Sequence, residues 1–418
     1  MSSNLTFSER VYSFVTIQIG EKWQELIVGI EDDFASGSHH YTSLVQFVRG
    51  DAKAPTTGGA LGGLPYILPR AGMNVNKPSL LFLNLPESSE TQEPPSTADK
   101  ALEKIHRRVI PLLSLFGVSG CGKTRTAIEM LSKQWGFYFN GSETDLGSND
   151  LLDLLELVQQ RRRYHTCDWE SNTHVQILAL ALVLARIIIL DHCLNVAERE
   201  GVSFTCRHWM LLQVGFRAMG VLDLFANLFT SIAKVIHLHS INIDIMSTTV
   251  QRRLSDLRQR LVGQRVGYKI LLVVDEAQNL GKEDVGTFVS QQMTLDNDNK
   301  RPILSPLVYG FYKVVGDRNE ICVIPCGTGL SIFDKKWLDD SAPGPKGYKE
   351  QLGPFTDFVG WESLEQIQSY RDLVRRSLPN DEARTIFDSH VPLISMQELF
   401  ESLHGRFRPI VFAIGKQG

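Results

Sequence analysis

The sequence lacks the segments that would direct a chain to a membrane or to secretion. Residues 1–20 contain neither the basic start nor the apolar run of a signal peptide. The most apolar stretch, 177–190, is interrupted by Arg186 and is too short to cross a bilayer. We therefore expect an intracellular protein with no membrane partner, and a buried core helix at 177–190.

Cysteine is scarce as well. The 418 residues include 6 cysteines, which form no Cys-x-x-Cys pair and have no His-rich partner segment. This spacing gives no indication of a disulfide framework or of a zinc site. The expected state is a set of reduced thiols in a reducing compartment.

The sequence also lacks an excess of positive charge. Its formal net charge is −4 at pH 7, so no whole-chain field attracts nucleic acid or an anionic membrane. The longest local run of arginines, 161–163, closes a helical pattern and is typical of a helix end that complements the helix dipole. Nucleic acid is therefore a partner that the charge does not support.

The composition and length predict a soluble chain with one large domain and a smaller N-terminal region. Hydrophobic residues make up 43% of the chain and charged residues 22%, which is ordinary for a globular protein. Residues 86–100 are rich in Pro, Ser, Thr and Glu and are predicted to be a disordered linker. This divides a small N-terminal region of unknown role, 1–85, from a large domain at 101–418.

Short apolar runs alternate with helical patterns in the large domain. Strands are predicted at 109–116 and 136–139, and two further runs, 270–274 and 321–324, are typical of strands buried on both faces of a parallel sheet. Helical patterns fill most of 172–264. The expected fold is a three-layer α/β sandwich with a parallel central sheet and a large helical insertion.

A glycine-rich loop connects the first of these strands to a helix. Residues 117–124 match the pattern G-x-x-x-x-G-K-[ST] at every fixed position. Gly120 and Gly122 allow backbone N–H groups to approach phosphate oxygens without a Cβ in the way, and the helix N-terminus adds its positive dipole end. The predicted nucleotide-binding residues here are Gly117, Val118, Ser119, Gly120, Cys121, Gly122, Lys123 and Thr124.

Two side chains at the end of the loop have separate predicted roles. Lys123 would reach the β and γ phosphates as a point charge, and the Thr124 hydroxyl would be a ligand of Mg²⁺. A chance match in a glycine-rich turn is the competing interpretation, which the strand–loop–helix context disfavours. The sequence thus predicts a P-loop nucleoside triphosphatase of the additional-strand, AAA-like class over 101–418.

The apolar run at 270–274 delivers two carboxylates to the carboxyl end of a strand. Asp275 is predicted to hold Mg²⁺ through water, and Glu276, on an extended chain, would point the other way and act as general base. No Asn-Lys-x-Asp motif for reading guanine follows the loop. ATP with Mg²⁺ is therefore the expected nucleotide.

Three further residues are weaker candidates. Thr328, in the turn 326–329, stands where related ATPases place a sensor of the γ phosphate, although a plain glycine-rich turn is the alternative. Arg406 and Arg408 are candidates for stabilising charge in the transition state, and a surface turn with solvated arginines is the alternative.

Several segments together resemble the NTPase region of Crinkler effectors of fungi and oomycetes. The Trp-Gly-Phe-Tyr-Phe element is the most distinctive of them, because it is not a general ATPase feature. The segments that carry the resemblance are 117–130 (GVSGCGKTRTAIEM), 135–139 (WGFYF), 147–151 (GSNDL), 209–213 (WMLLQ), 274–278 (VDEAQ) and 405–409 (GRFRP).

The resemblance implies a modular protein delivered into a host cell, often to its nucleus, where it meets a host protein partner. It also implies an ATPase coupled to a C-terminal toxic domain. The family's ubiquitin-like header motifs are not visible, and we expect no toxic domain within the 418 residues. The residues that match the family's site are Gly117, Gly120, Gly122, Lys123, Thr124, Asp275 and Glu276, with Arg406 and Arg408 as weaker matches.

Three functions are compatible with these patterns. The first is Mg²⁺-dependent ATP hydrolysis by a Crinkler-like motor or switch. The second is a nucleotide-gated module that binds a partner with little hydrolysis, and the third is a DNA-stimulated translocase. The paired carboxylates favour the first.

Overall fold

The computed structural model describes most of the chain from residue 95 onward and two helices before it. The described residues are 21–32, 39–49, 81, 85, 95–107, 111–143, 146–162, 168–215, 223–262, 268–282, 288–289, 300–314, 320–328, 354–358, 360, 363–378, 380–403, 410 and 414.

Helices are the main elements within these ranges. They are α1 (21–32), α2 (His39–Arg49), α3 (Thr97–Arg107), α4 (Lys123–Lys133), α5 (Asp150–Arg162), α6 (Asp168–Glu200), α7 (Cys206–Gly215), α8 (Leu224–His239), α9 (Ile243–Val262), α10 (Ala277–Leu280), α11 (Leu304–Tyr312), α12 (Leu364–Ser377), α13 (Asp381–His390) and α14 (Ser395–Leu403). The strands are β1 (Leu115–Phe116), β2 (Gly136–Asn140), β3 (Ile270–Asp275), β4 (Phe288–Val289), β5 (Lys300–Arg301) and β6 (Ile321–Gly327).

Four of the strands form a parallel sheet in the order β1-β6-β3-β2, and β4 and β5 form a separate antiparallel pair. Every residue of β3 and β6 is buried, which agrees with their unbroken apolar sequences. The expected mixed α/β class with a parallel sheet is therefore confirmed. Over its described residues, 111–116, the strand predicted at 109–116 is shorter than expected, since only the last two belong to β1, while residues 109 and 110 lie outside the described residues.

The sheet has a further contact beyond β1. Phe355 makes a parallel bridge with Leu115. The Phe116 N–H donates to the Phe355 carbonyl at 3.0 Å, and the Phe355 N–H donates to the Ser114 carbonyl at 2.8 Å. The segment 354–358 thus pairs with the outer edge of β1, next to the loop that follows it.

The long helix α6 forms the centre of the helical layer. Among the described helices, one segment, Asn172–Glu200 within α6, is long and apolar enough to cross a membrane, but 83% of its most apolar window is buried inside the protein. The prediction of a buried core helix at 177–190 is confirmed. The helical patterns predicted across 172–264 correspond to α6, α7, α8 and α9.

Side chains from α6 and α7 cover the outer edge of β2. The Gly136 carbonyl accepts from Trp209 Nε1 at 2.8 Å and from Gln213 Nε2 at 3.1 Å. The Tyr138 N–H donates to Gln213 Oε1 at 2.9 Å, and the Tyr138 carbonyl accepts from Arg186 Nη2 at 3.0 Å. The backbone groups that an edge strand leaves unpaired are therefore satisfied by side chains.

The N-terminal helices share the main hydrophobic core. Trp23 of α1 is fully buried, and Leu44 of α2 is buried in the same cluster as the sheet residues. Trp23 Nε1 donates to Thr249 Oγ1 at 3.1 Å, which joins α1 to α9. The described part of the region 1–85 thus packs directly on the large domain.

The predicted linker at 86–100 needs a correction at its end. Residues 97–100 form the first turn of α3. Ser96 and Asp99 form a capping box, because the Asp99 N–H donates to Ser96 Oγ at 3.2 Å and the Ser96 N–H donates to Asp99 Oδ2 at 3.0 Å. At 96–100 the polar residues that suggested a linker instead form the start of helix α3. Residues 86–94 lie outside the described residues.

The C-terminal helices α12, α13 and α14 have a hydrophobic cluster of their own. Ile367 and Tyr370 of α12 contact Phe387 of α13 and Met396 of α14 within it. The large domain predicted at 101–418 therefore contains a second, smaller helical core beside that of the sheet.

Candidate functional site

The glycine-rich loop leaves β1 at Gly117 and enters α4 at Lys123. Gly120 and Gly122 have φ angles of 80° and 99°, in the left-handed region that glycine adopts without strain. Gly122 is the N-cap of α4, and no side chain caps this helix. The N-terminus of α4 therefore presents backbone donors and the positive end of its dipole toward the loop.

Lys123 is folded back onto this loop. Its side chain is 7% exposed, and Nζ donates to the carbonyls of Gly117 and Val118 at 2.8 Å each. Cys121 Sγ lies 3.8 Å from the same Nζ. The ammonium group is thus held by two backbone carbonyls of the loop itself.

Asp275 lies at the carboxyl end of β3, at the same edge of the sheet as the loop that follows β1. Asp275 is 3% exposed, and its Oδ2 accepts from the Tyr138 hydroxyl at 2.9 Å. The Thr124 side chain is one of the groups that lower the pKa of Asp275. The two residues predicted to hold Mg²⁺ therefore lie at one edge of the sheet, with β6 between β1 and β3.

The electrostatics of this carboxylate follow from burial. Desolvation raises the pKa of Asp275, the hydroxyl groups of Tyr138 and Thr124 oppose this rise, and the neighbouring charge of Glu276 adds to it. Burial and the nearby Asp275 raise the pKa of Tyr138 well above its usual range. Tyr138 consequently remains a hydroxyl donor to Asp275.

Tyr138 was not predicted as a site residue. Tyr138 is buried in β2, with 1% exposure. Its hydroxyl reaches the site because β2 pairs with β3 in a register that places Asn140 opposite Asp275. A tyrosine among the apolar residues of a strand was the available signal, but its partner is 137 residues away in the chain.

Glu276 adopts a different backbone conformation from the predicted one. The extended chain expected at Glu276 is wrong, because its φ angle is 53° and it forms the N-cap of the short helix α10. A left-handed conformation costs a non-glycine residue roughly 1–2 kcal/mol. The chain turns here instead of continuing β3, and this turn sets the direction of the carboxylate.

Gln278 connects this carboxylate to the end of β6. Gln278 Nε2 donates to Glu276 Oε2, and Gln278 Oε1 accepts from the Thr328 N–H at 3.0 Å. Thr328 directly follows β6, and its backbone N–H makes this contact with Gln278. Gln278 was not predicted as a site residue, although it belongs to the segment 274–278 that carries the family resemblance.

The structure thus brings Lys123, Thr124, Asp275, Glu276 and Thr328 to one edge of the sheet. This is the edge where the carboxyl ends of parallel strands create a ligand-binding crevice. Arg406 and Arg408 lie outside the described residues. Val118, another predicted loop position, is 57% exposed.

The oxygen atoms of this site fit Mg²⁺ better than a softer metal. Thr124 and Asp275 offer a hydroxyl and a carboxylate, the hard ligands that Mg²⁺ takes, usually together with phosphate oxygens and water. In the described part of the chain no group of three His, Cys, Asp or Glu side chains forms a metal cluster. The residues therefore suit a cation that is shared with a phosphate ligand.

Comparison with known proteins adds no further assignment. No protein-family model matches the chain, and neither a curated protein nor a solved structure matches it. Its function is therefore inferred from the residues at the carboxyl edge of the sheet.

Proposed function

We propose that this chain is a P-loop nucleoside triphosphatase that hydrolyses ATP with Mg²⁺. The observation that carries the proposal is the position of Asp275 at the end of β3, at the same edge of the parallel sheet as the loop that leads from β1 to Lys123 and Thr124 at the start of α4. This edge combines a motif typical of phosphate binding with a carboxylate more than a hundred residues away in the chain. In P-loop ATPases a hydroxyl and an acidic residue of this kind hold the metal ion.

The order of the strands supports the additional-strand class. β6 lies between β1, which carries the loop, and β3, which carries Asp275. Thr328 follows this inserted strand, as the sensor position of that class requires. The bridge between Leu115 and Phe355 adds a further parallel contact on the far side of β1.

Each residue at the edge has a role in the proposed reaction. The backbone donors of 117–122 and the N-terminus of α4 would bind the phosphates, and Lys123 would exchange its loop carbonyls for phosphate oxygens. Thr124 and Asp275 would hold Mg²⁺, which when bound neutralises phosphate charge. Glu276 would accept a proton from the attacking water.

We also propose that the chain belongs to the Crinkler-like ATPases and acts with a protein partner. The support is that two distinctive segments of the resemblance contact each other. Trp209 and Gln213 both donate to the Gly136 carbonyl. The segments 135–139 and 209–213 therefore meet at the outer edge of β2, which the side chains of the second segment cover. Binding of a host partner can be tested only after the nucleotide chemistry is known.

Steady-state phosphate release with and without Mg²⁺ tests the ATPase proposal. The Lys123→Ala variant should lose ATP affinity and turnover together. The Glu276→Gln variant should keep ATP affinity and lose roughly 10²–10⁴-fold in turnover, because it removes a general base. Exposed Lys234→Ala and Glu382→Gln serve as matched controls and should behave as wild type.

Other outcomes would select a different function. If ATP raises the melting temperature but the wild type releases no phosphate, a nucleotide-gated binding module replaces the ATPase. Turnover that rises only on addition of DNA would favour a translocase. Unchanged turnover in both site variants would refute the proposed site.

A further inference from the structure

We infer that Gln278 is a positioning residue that holds the Glu276 carboxylate in its working orientation by linking it to the end of β6. The inference rests on the proposed ATPase function. It assigns no contact with nucleotide to Gln278, which would act only through Glu276.

Both ends of the Gln278 amide are used in this link. Nε2 donates to Glu276 Oε2, and Oε1 accepts from the backbone N–H of Thr328 at 3.0 Å. The side chain is only 8% exposed, so water competes little for either hydrogen bond. The Glu276 carboxylate is thereby linked to the backbone just after β6, the strand that lies between β1 and β3.

The backbone that carries Gln278 is itself fixed. Asn279, its neighbour in α10, donates from Nδ2 to the Gly141 carbonyl at 3.1 Å, and its N–H donates to the Glu276 carbonyl at 2.9 Å. The Gly141 N–H in turn donates to the Asp275 carbonyl at 2.9 Å. The short helix is therefore anchored to the loop after β2, and the amide of Gln278 has little freedom to leave its partners.

The left-handed backbone conformation of Glu276 is the reason why its carboxylate needs the hydrogen bond from Gln278. A φ angle of 53° is disfavoured for glutamate, so the surrounding contacts must hold this residue in place. A freely rotating carboxylate at such a turn would sample several orientations. A side-chain amide is a neutral group that can donate to a carboxylate and accept from a backbone N–H through two different atoms at the same time.

Two substitutions test the link in the full chain. Gln278→Ala removes both hydrogen bonds, and Gln278→Glu keeps the size and the acceptor but places a carboxylate without a donor beside Glu276. Each should lower kcat by roughly 10–100-fold, since small displacements of a catalytic group have effects of this size. The KM for ATP and the measured ATP affinity should stay within about twofold of wild type, because the phosphate loop is unchanged.

A matched control is available on the surface of α5. Gln160 Nε2 donates to Glu156 Oε1 at 3.0 Å, and both residues are exposed. Gln160→Ala breaks the same kind of amide–carboxylate pair away from the site and should leave kcat and KM unchanged. If Gln278→Ala does not fold, the near-isosteric Gln278→Glu decides the question.

A double-mutant cycle separates positioning from general support of the fold. In a Glu276→Gln background, single-turnover phosphate release should show little further loss on adding Gln278→Ala, because the group that Gln278 positions is already absent. Equal losses in both backgrounds would overturn the inference, as would a raised KM with unchanged kcat.

The failure of this inference is distinguishable from failure of the ATPase proposal. A wild-type protein that hydrolyses ATP, with Gln278 variants of unchanged kcat, overturns the inference alone. A wild-type protein without any hydrolysis overturns the proposed function and the role of Gln278 together.

Discussion

Asp150 and Arg186 form an ion pair in which both side chains are fully buried. Arg186 Nη1 lies 2.7 Å from Asp150 Oδ2, and the guanidinium also lies 4.0 Å from the centre of the Phe225 ring. The same guanidinium donates to Tyr138 of β2. A buried charge is costly without a partner, so loss of either side chain would leave the other charge unpaired. Through Arg186 this ion pair joins α5, α6 and β2.

The pH dependence of stability should reveal this pair. Burial raises the pKa of Asp150 to about 6, and Arg186 opposes the rise. Since the folded value exceeds the unfolded one, Asp150 contributes most below its unfolded pKa, and this contribution is lost as pH rises through about 6. The free energy of unfolding of wild type relative to Asp150→Asn should therefore fall from pH 4 to pH 7, by on the order of 3 kcal/mol.

Urea unfolding of the two proteins at several pH values measures this difference. Asp150→Asn removes the titrating carboxyl, so the difference between the two proteins reports residue 150 together with its coupling to Arg186 and Asp223. A gap that stays constant or widens as pH rises would contradict the raised pKa of Asp150.

At the scale of elements, β2 is the edge strand closest to the helical insertion. The insertion supplies Trp209, Gln213 and Arg186, whose side chains take the place of a neighbouring strand. An uncovered edge strand is a site for unwanted pairing between chains. The insertion therefore completes the sheet in addition to any role in partner binding.

Replacing Gln213 tests this completion. Gln213→Met keeps the volume but leaves the buried Tyr138 N–H without an acceptor, while Trp209 still satisfies the Gly136 carbonyl. We expect a loss of about 1–3 kcal/mol in the free energy of unfolding, the cost of one unsatisfied buried donor. Thermal or urea unfolding measures it. Exposed Gln397→Met should change stability by less than about 0.5 kcal/mol, and an equal effect of both would contradict the interpretation.

At the scale of the molecule, α1 is part of the main core. Trp23 is fully buried against α9, and Arg253 of α9 pairs with Glu31 at 2.8 Å. Residues far apart in the chain are thus joined in one hydrophobic cluster, which also contains the strands of the site. Helix α1 should therefore unfold together with the sheet.

Truncating Trp23 tests this cooperativity. Trp23→Ala should lower the free energy of unfolding by about 3–5 kcal/mol, as is usual for a large buried aromatic side chain. Val28, on the same helix, is 48% exposed, and Val28→Ala should have an effect of at most about 0.5 kcal/mol. Unfolding followed by fluorescence and by circular dichroism should show one coincident transition. A separate early transition of α1 would contradict the shared core.

The sequence was sufficient to predict those elements that are defined by residues close together in the chain. The glycine-rich loop at 117–124 could be predicted because glycines, a lysine and a threonine at fixed spacing favour one backbone conformation. The buried strands at 270–274 and 321–324 could be predicted because short, unbroken apolar runs are typical of strands in a covered parallel sheet. The expected α/β class follows from the alternation of such runs with helices.

Only the tertiary structure decided which side chains complete the site. Tyr138 reaches Asp275 through the register of two strands, and Gln278 reaches Thr328 across 50 residues. The turn at Glu276 is likewise set by packing of α10. The sequence alone determined the loop and the acidic strand, because their spacing is local. The strand order and the hydrogen bonds around the carboxylates required the fold, because these contacts join residues that no local pattern relates.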